Sequence, residues 1–189
     1  MGIRSFLAFE LAPDIKKQIE TISKELRKSN LPVRWVKPEN IHLTLIFLGD
    51  VEENLIEDIK AKVNEVVREM ESFKIRLKGA GVFPGLKRPR VVWVGLGGDI
   101  DRLSDLRDNL QSKLNALGFI PERRPFKPHL TLGRFKGRTK GENGLKNILE
   151  RYYETKSDIS CLKEFILFKS DLKPNGAEYT KIFTWTLVP

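Results

Sequence analysis

The same tetrapeptide occurs twice in this chain, as His42-Leu43-Thr44-Leu45 and as His129-Leu130-Thr131-Leu132, and the two copies hold both of its histidines. At ordinary usages of Leu and Thr, a given histidine would be followed by Leu-Thr-Leu about once in a thousand times, so the pair reads as an internal repeat. Side chains alternate along a strand, so a tetrapeptide of this kind sends His and Thr to one face and the leucines to the other. Each copy then anchors its leucines in a core and presents an imidazole and a hydroxyl on the opposite side. Two such strands related by a pseudo-twofold line a cleft with two His and two Thr.

The rest of the chain supplies the elements such an arrangement needs. Apolar residues at helical spacing run through Ile15, Ile19, Ile22 and Leu26, with Pro13 suited to a first turn. Further stripes run through Ile56, Ile59, Val63, Val66 and Met70, through Leu103, Leu106, Leu110, Leu114 and Leu117 up to Gly118, and through Leu145, Ile148, Leu149 and Tyr152. Strands are predicted near Ser5–Leu11, His42–Leu48, Phe73–Gly81, Val91–Leu96, His129–Phe135, Leu162–Ser170 and Tyr179–Val188. This mixed order predicts an α+β fold. With 189 residues and no linker rich in Gly, Ser or Pro, the expectation over 1–189 is a single compact domain of two fused lobes. Each lobe contributes one motif, 42–45 and 129–132.

A pair of imidazoles suits general acid–base chemistry, because the ordinary histidine pKa of about 6.5 lets the ring both take and give a proton near neutrality. In a displacement at phosphorus, one histidine deprotonates the attacking water or hydroxyl and the other protonates the departing alkoxide. Thr44 and Thr131 donate hydrogen bonds to the non-bridging oxygens. This chemistry calls for no metal and no cofactor in hydrolysis. Two other readings stand beside it. Histidine also binds zinc, but the sequence has no His-x-x-x-His and no second cysteine beside Cys161. Two histidines can also simply be buried core residues.

A formal net charge of +9, from 34 Lys and Arg against 25 Asp and Glu, favours a polyanionic partner, nucleic acid first. The bland alternative is solvated helix faces. Cations cluster around the second motif. Arg134 lies five residues after His129, which strict alternation puts on the far face, unless a bend at Gly133 redirects it toward the cleft. There its planar fork would suit a phosphate. The equivalent place in the first copy is Phe47. Arg123, Arg124, Lys127, Lys136, Arg138 and Lys140 could extend the charge along an RNA backbone, with Phe126 or Trp35 stacking bases. Lys87-Arg88-Pro89-Arg90 is a further basic segment, a contact or merely a loop. One cysteine excludes an intrachain disulfide, and no apolar run is long enough to span a bilayer. A cytoplasmic protein without a membrane partner is expected.

These residues resemble the two-histidine phosphoesterases, and among them the archaeal and bacterial RNA 2′,3′-cyclic phosphodiesterases also called 2′-5′ RNA ligases. Beyond the paired motifs, the resemblance rests on Arg34 to Ile41, Phe126-Lys127-Pro128 and Gly133-Arg134. It extends to Arg4 to Ala8, Gly79 to Pro84, Pro89 to Gly95 and Ser170 to Tyr179, so it covers almost the whole chain. It implies a bilobal fold of two pseudo-twofold-related lobes, with sheets lining a central cleft and helices outside. His42, Thr44, His129, Thr131 and Arg134 stand at the catalytic and phosphate-binding positions. The implied activity is hydrolysis of an RNA 2′,3′-cyclic phosphate end to a 2′-phosphate, with His42 as acid beside O3′ and His129 as base, and reversible 2′-5′ RNA ligation with these roles exchanged. The expected partner is RNA bearing a cyclic phosphate or 2′-phosphate end, and the expected state is a monomer. Alternatives at this point are a phosphodiesterase acting on a small cyclic nucleotide or an ADP-ribose cyclic phosphate, and an RNA-binding module without turnover.

Overall fold

The computed structural model describes residues 2–137, 143–152, 157–174 and 176–189. Chain order runs β1 (Ile3–Phe9), α1 (Pro13–Arg27), β2 (Val33–Trp35), β3 (Leu43–Val51), α2 (Ile56–Val67), β4 (Phe73–Phe83), β5 (Val91–Gly98), α3 (Ile100–Asn115), β6 (His129–Phe135), α4 (Asn143–Glu150), β7 (Ser160–Leu162), β8 (Glu164–Lys173) and β9 (Gly176–Thr186). The strands form two sheets, ordered β3-β1-β8-β9 and β2-β6-β5-β4-β7, with antiparallel neighbours throughout. The α+β expectation holds.

The repeat recurs as a supersecondary unit. In each half a strand leads through a helix to an antiparallel neighbour that starts at a His-x-Thr motif: β1-α1-β3 in the first sheet and β5-α3-β6 in the second. Local chemistry explains the helices. Pro13 opens α1 with Asp14 in its first turn and Lys24 and Arg27 in its last, charges that suit the dipole. Its buried face is the anticipated Ile15, Ile19, Ile22 and Leu26. At the end of α3, Gly118 takes φ 89°, the Gly118 N–H donates to the Asn115 carbonyl and the Phe119 N–H donates to that of Leu114. This left-handed closure is what glycine permits at low cost.

Three apolar stripes overshoot their helices. Met70, Leu117 and Tyr152 lie past the ends of α2, α3 and α4, and Val67 rather than Val66 completes the buried face of α2. Residues after a helix end can keep its apolar spacing and pack on the same core, so periodicity alone does not mark the stop. The predicted strand Leu162–Ser170 is two strands broken at Lys163: β7 joins β4 in one sheet and β8 joins β1 in the other. β2, too short for alternation to register, pairs with β6 and belongs to the second sheet although it precedes His42.

One continuous cluster of buried apolar residues draws on both sheets and the helices, from Leu7 and Phe9 on β1 to Leu130 and Leu132 on β6. β1 is buried on both faces, which is why it reads as an unbroken apolar run. Leu7 and Phe9 enter the main core, while Phe6 and Ala8 join Ile166, Phe168 and Tyr179 in a smaller cluster. Leu43 and Leu130, the leucines that follow the two histidines, are fully buried. Leu43→Ala and Leu130→Ala are each expected to lower the free energy of unfolding by about 2–5 kcal/mol, the usual result of truncating a buried leucine. Denaturant unfolding checks this, and a loss below about 1 kcal/mol at either site would contradict the core assignment.

Candidate active site

His42 immediately precedes β3, and His129 is the first residue of β6. Thr44 and Thr131 are half-buried, while Leu43, Leu45, Leu130 and Leu132 are buried, as the alternation required. Both histidines and both threonines line one cleft of about 1160 Å³.

Register explains how Arg134 reaches that cleft. In β6, Thr131 pairs with Trp93 and Gly133 with Val92, which leaves Leu132 as an extra residue. In β3, Thr44 pairs with Ala8 and Ile46 with Leu7, which leaves Leu45 extra at the equivalent place. Such a bulge shifts the alternation by one residue. Arg134 therefore returns to the face of His129 and lines the cleft, as does Phe47 in the first copy. The redirection expected at Gly133 is present, and the glycine has its own task. A Cβ there would lie 2.4 Å from Cγ1 of Val33, so glycine allows β2 to pack against β6.

Each imidazole is tied to the backbone two residues before it. Nδ1 of His129 lies 2.7 Å from the carbonyl oxygen of Lys127, and His42 hydrogen-bonds to the backbone of Asn40. A carbonyl only accepts, so Nδ1 of His129 carries the proton and Nε2 remains for chemistry. Burial pushes the His42 pKa down to about 4, against a smaller upward pull from the Asn40 bond. His129 is also lowered, first by burial and further by the positive charge of Arg134, with the Lys127 bond opposing. Desolvation disfavours the imidazolium in both.

Aromatic rings supply that desolvation, and the sequence reading did not single them out. Phe6 stacks on His42 with centroids 4.7 Å apart, and Tyr179 meets it edge-on at 5.1 Å. Phe83 meets His129 edge-on at 4.9 Å and itself stacks on Trp93. The available signals were faint: Phe6 sat in an apolar run, and Tyr179 closed one segment of the family resemblance. Burial raises the Tyr179 pKa, while the charges of Arg134 and Arg4 pull it down. Its hydroxyl thus stays protonated, and it lies within the field of Arg134.

Arg4, Arg34, Lys37, Arg107, Arg124, Lys127 and Arg134 line the cleft, against Glu122 and Glu178. Arg107 was also unforeseen, because it sits within the apolar stripe of α3. It is buried, donates to the carbonyls of Glu122 and Arg124, and lies under the Phe126 ring at 5.5 Å. It thereby shapes the segment 122–126. Phe126 is partly buried on the core but reaches the cleft, as do Trp35, Lys127 and Arg124. The Arg124 guanidinium is engaged by Glu122 at 2.9 and 3.0 Å, and Arg123 is exposed but does not line the cleft. Lys87, Arg88, Arg90 and Lys136 are exposed outside the cleft lining, and Arg138 and Lys140 lie outside the described residues. Among the described residues, no group of three or more His, Cys, Asp or Glu is placed to hold a metal ion, and no helix is long and apolar enough to cross a membrane.

Comparison with known proteins places this geometry among relatives. A family model described as LigT like phosphoesterase matches residues 9–93 and 96–179, so each matched segment holds one motif. A protein of Methanothermobacter thermautotrophicus named RNA 2′,3′-cyclic phosphodiesterase is 35% identical over 187 residues, covering 99% of this chain and 100% of the relative. Another of the same name from Thermotoga maritima is 35% identical, covering 96% and 94%. Among solved structures, a Thermus thermophilus protein superimposes with a TM-score of 0.81 at 27% identity, covering 98% of each chain. Escherichia coli LigT complexed with 3′-AMP gives 0.74 at 26% identity, covering 100% of each.

The imidazole environments lead to a direct expectation. With two histidines in the chain, an NMR titration contains two imidazole responses. One, absent in His42→Asn, should titrate near pH 4, and the other should lie below 6.5. Both rings are then neutral at pH 7 in the free protein. Added inorganic phosphate should move both midpoints upward, since an anion favours the charged ring. Midpoints at or above 6.5 without phosphate would show that desolvation does not govern the site.

Proposed function

Because the chain belongs to the LigT-like phosphoesterase family, we propose that it opens RNA 2′,3′-cyclic phosphate ends to 2′-phosphates by metal-independent acid–base catalysis between His42 and His129. The observation that carries this reading is the pairing of two backbone-tethered imidazoles, each followed by a cleft-facing threonine, in one cation-lined cleft. The names of the Methanothermobacter and Thermotoga relatives support the substrate. The 3′-AMP complex of Escherichia coli LigT supports a nucleotide as ligand.

Water attacks phosphorus in line with the bond to O3′. Nε2 of His129 takes the water's proton, the P–O3′ bond breaks, and the His42 imidazolium gives its proton to O3′. The product holds a 2′-phosphate and a free 3′-hydroxyl. A pKa near 4 leaves His42 neutral in the empty cleft, so the proton must arrive with the substrate. The phosphodiester anion supplies the charge that favours the imidazolium. An imidazolium held in a desolvating site is also a stronger acid than one in water, which favours release of its proton to the alkoxide. Thr44, Thr131 and Arg134 hold the non-bridging oxygens, where charge builds in the transition state. Run backward, a 2′-hydroxyl loses its proton to the imidazole, and a 2′-5′ linkage forms from a cyclic phosphate and a 5′-hydroxyl with the acid and base roles exchanged. Acid, base and phosphate donors all come from the chain, so hydrolysis calls on no cofactor. Both motifs come from one copy, which suits a monomer working in the cytoplasm.

The cationic lining favours a strand over an isolated sugar phosphate. Arg124, Phe126 and Lys127 lie where the strand would run, with exposed Arg123 beyond them.

His42→Ala and His129→Ala should each lower kcat on a cyclic-phosphate oligonucleotide by at least about 10²–10⁴-fold. The double variant should fall little further, because the two act as a unit. Near-normal turnover in either single variant would end this mechanism. Activity in excess EDTA should equal that without it, whereas loss with rescue by zinc or manganese would point to a metal site.

A further inference from the structure

The two motifs are alike in sequence, bulge and backbone tether, yet they diverge two residues after the bulge. That position faces the cleft in both copies and holds Arg134 in one and Phe47 in the other. Phe47 is 72% exposed although it lies on a strand whose neighbours Leu45 and Leu48 are buried. It pairs across the sheet with Phe6, whose ring stacks on His42, and the Phe6 and Phe47 centroids are 6.1 Å apart. A single exposed apolar residue on a protein surface needs no explanation. This one stands inside a cation-lined cleft, one ring away from a catalytic histidine, with an open face. A flat apolar surface beside a phosphate site is what a nucleobase requires, because every base has a π-face to stack.

Building on the function proposed above, we propose that Phe47 is the nucleobase platform of the site, stacking the base of the terminal nucleotide while Arg134 holds its phosphate from the opposite half of the repeat. The divergence then breaks the symmetry of the cleft. One half grips charge and the other grips the base, so the nucleoside lies on the His42 side. Recognition by stacking tolerates any base and favours the larger purine ring.

The test compares kcat/KM for adenosine 2′,3′-cyclic phosphate with that for 1-O-methylribose 2′,3′-cyclic phosphate, which lacks a base, in the native chain, Phe47→Leu and Phe47→Trp. The native chain should prefer the base-bearing substrate. Phe47→Leu should cut that preference by about 5- to 100-fold, the range seen for loss of one stacking contact, and Phe47→Trp should restore it. Unfolding midpoints of the three forms report whether the substitutions disturb the fold. An undiminished preference in Phe47→Leu overturns the platform. A second arm measures binding of adenosine 2′-monophosphate and of inorganic phosphate by NMR. If the native chain turns over neither cyclic phosphate, the proposed activity fails on its own. The platform is then decided by whether the affinity advantage of the nucleotide over phosphate falls in Phe47→Leu or persists.

Discussion

A hydrogen bond from a ring nitrogen to a backbone carbonyl two residues upstream holds the catalytic geometry together. For His129 the acceptor is Lys127, and for His42 the partner is the Asn40 backbone. The bond fixes the tautomer, orients the ring and leaves Nε2 toward the cleft. It also partly offsets the cost of burying a polar ring among aromatics. The segments that supply these backbone groups must themselves be rigid. Pro38–Asn40 forms a short 3₁₀ turn, and the Asn40 side chain donates to the Ala177 carbonyl of β9. On the other side, Arg107 fastens the segment leading to Lys127 from within α3.

Apolar packing and charge divide the work around that bond. Rings on the cleft face keep both imidazoles neutral in the empty site, while the surrounding cations prepare the same site for an anion. The two effects are consistent, because an approaching phosphate brings the charge that makes imidazolium favourable where burial alone forbids it. The aromatic cluster of Phe6, Phe168 and Tyr179 is therefore part of the electrostatics of the site as much as of its packing.

The bulge after each threonine links motif to function in another way. Without the extra residues Leu45 and Leu132, continued alternation would send Arg134 and Phe47 away from the cleft. A one-residue irregularity thus adds a third functional position to each half, beyond the histidine and the threonine. Because that third position is free of the symmetry, the halves can specialise there.

The repeated His-Leu-Thr-Leu determined, from sequence alone, that two equivalent strands would place His and Thr on one face and Leu on the other. Strand alternation is a local property of the backbone, and it needs no knowledge of partners. The amphipathic stripes of α1, α2 and α3 were legible for the same reason, to within a turn at their ends. Tertiary structure alone decided which sheet each strand joins, since antiparallel pairing is set by contacts distant in sequence. The split of 162–170 between two sheets and the capture of β2 by β6 carry no local signature. It also decided the surroundings of the histidines. Phe6, Phe83 and Tyr179 are remote in the chain from the imidazoles they touch, and Arg107 looks like a surface charge until the fold buries it. A pKa depends on what surrounds the ring in space, and residues far apart in the chain become its neighbours only when the sheets pack.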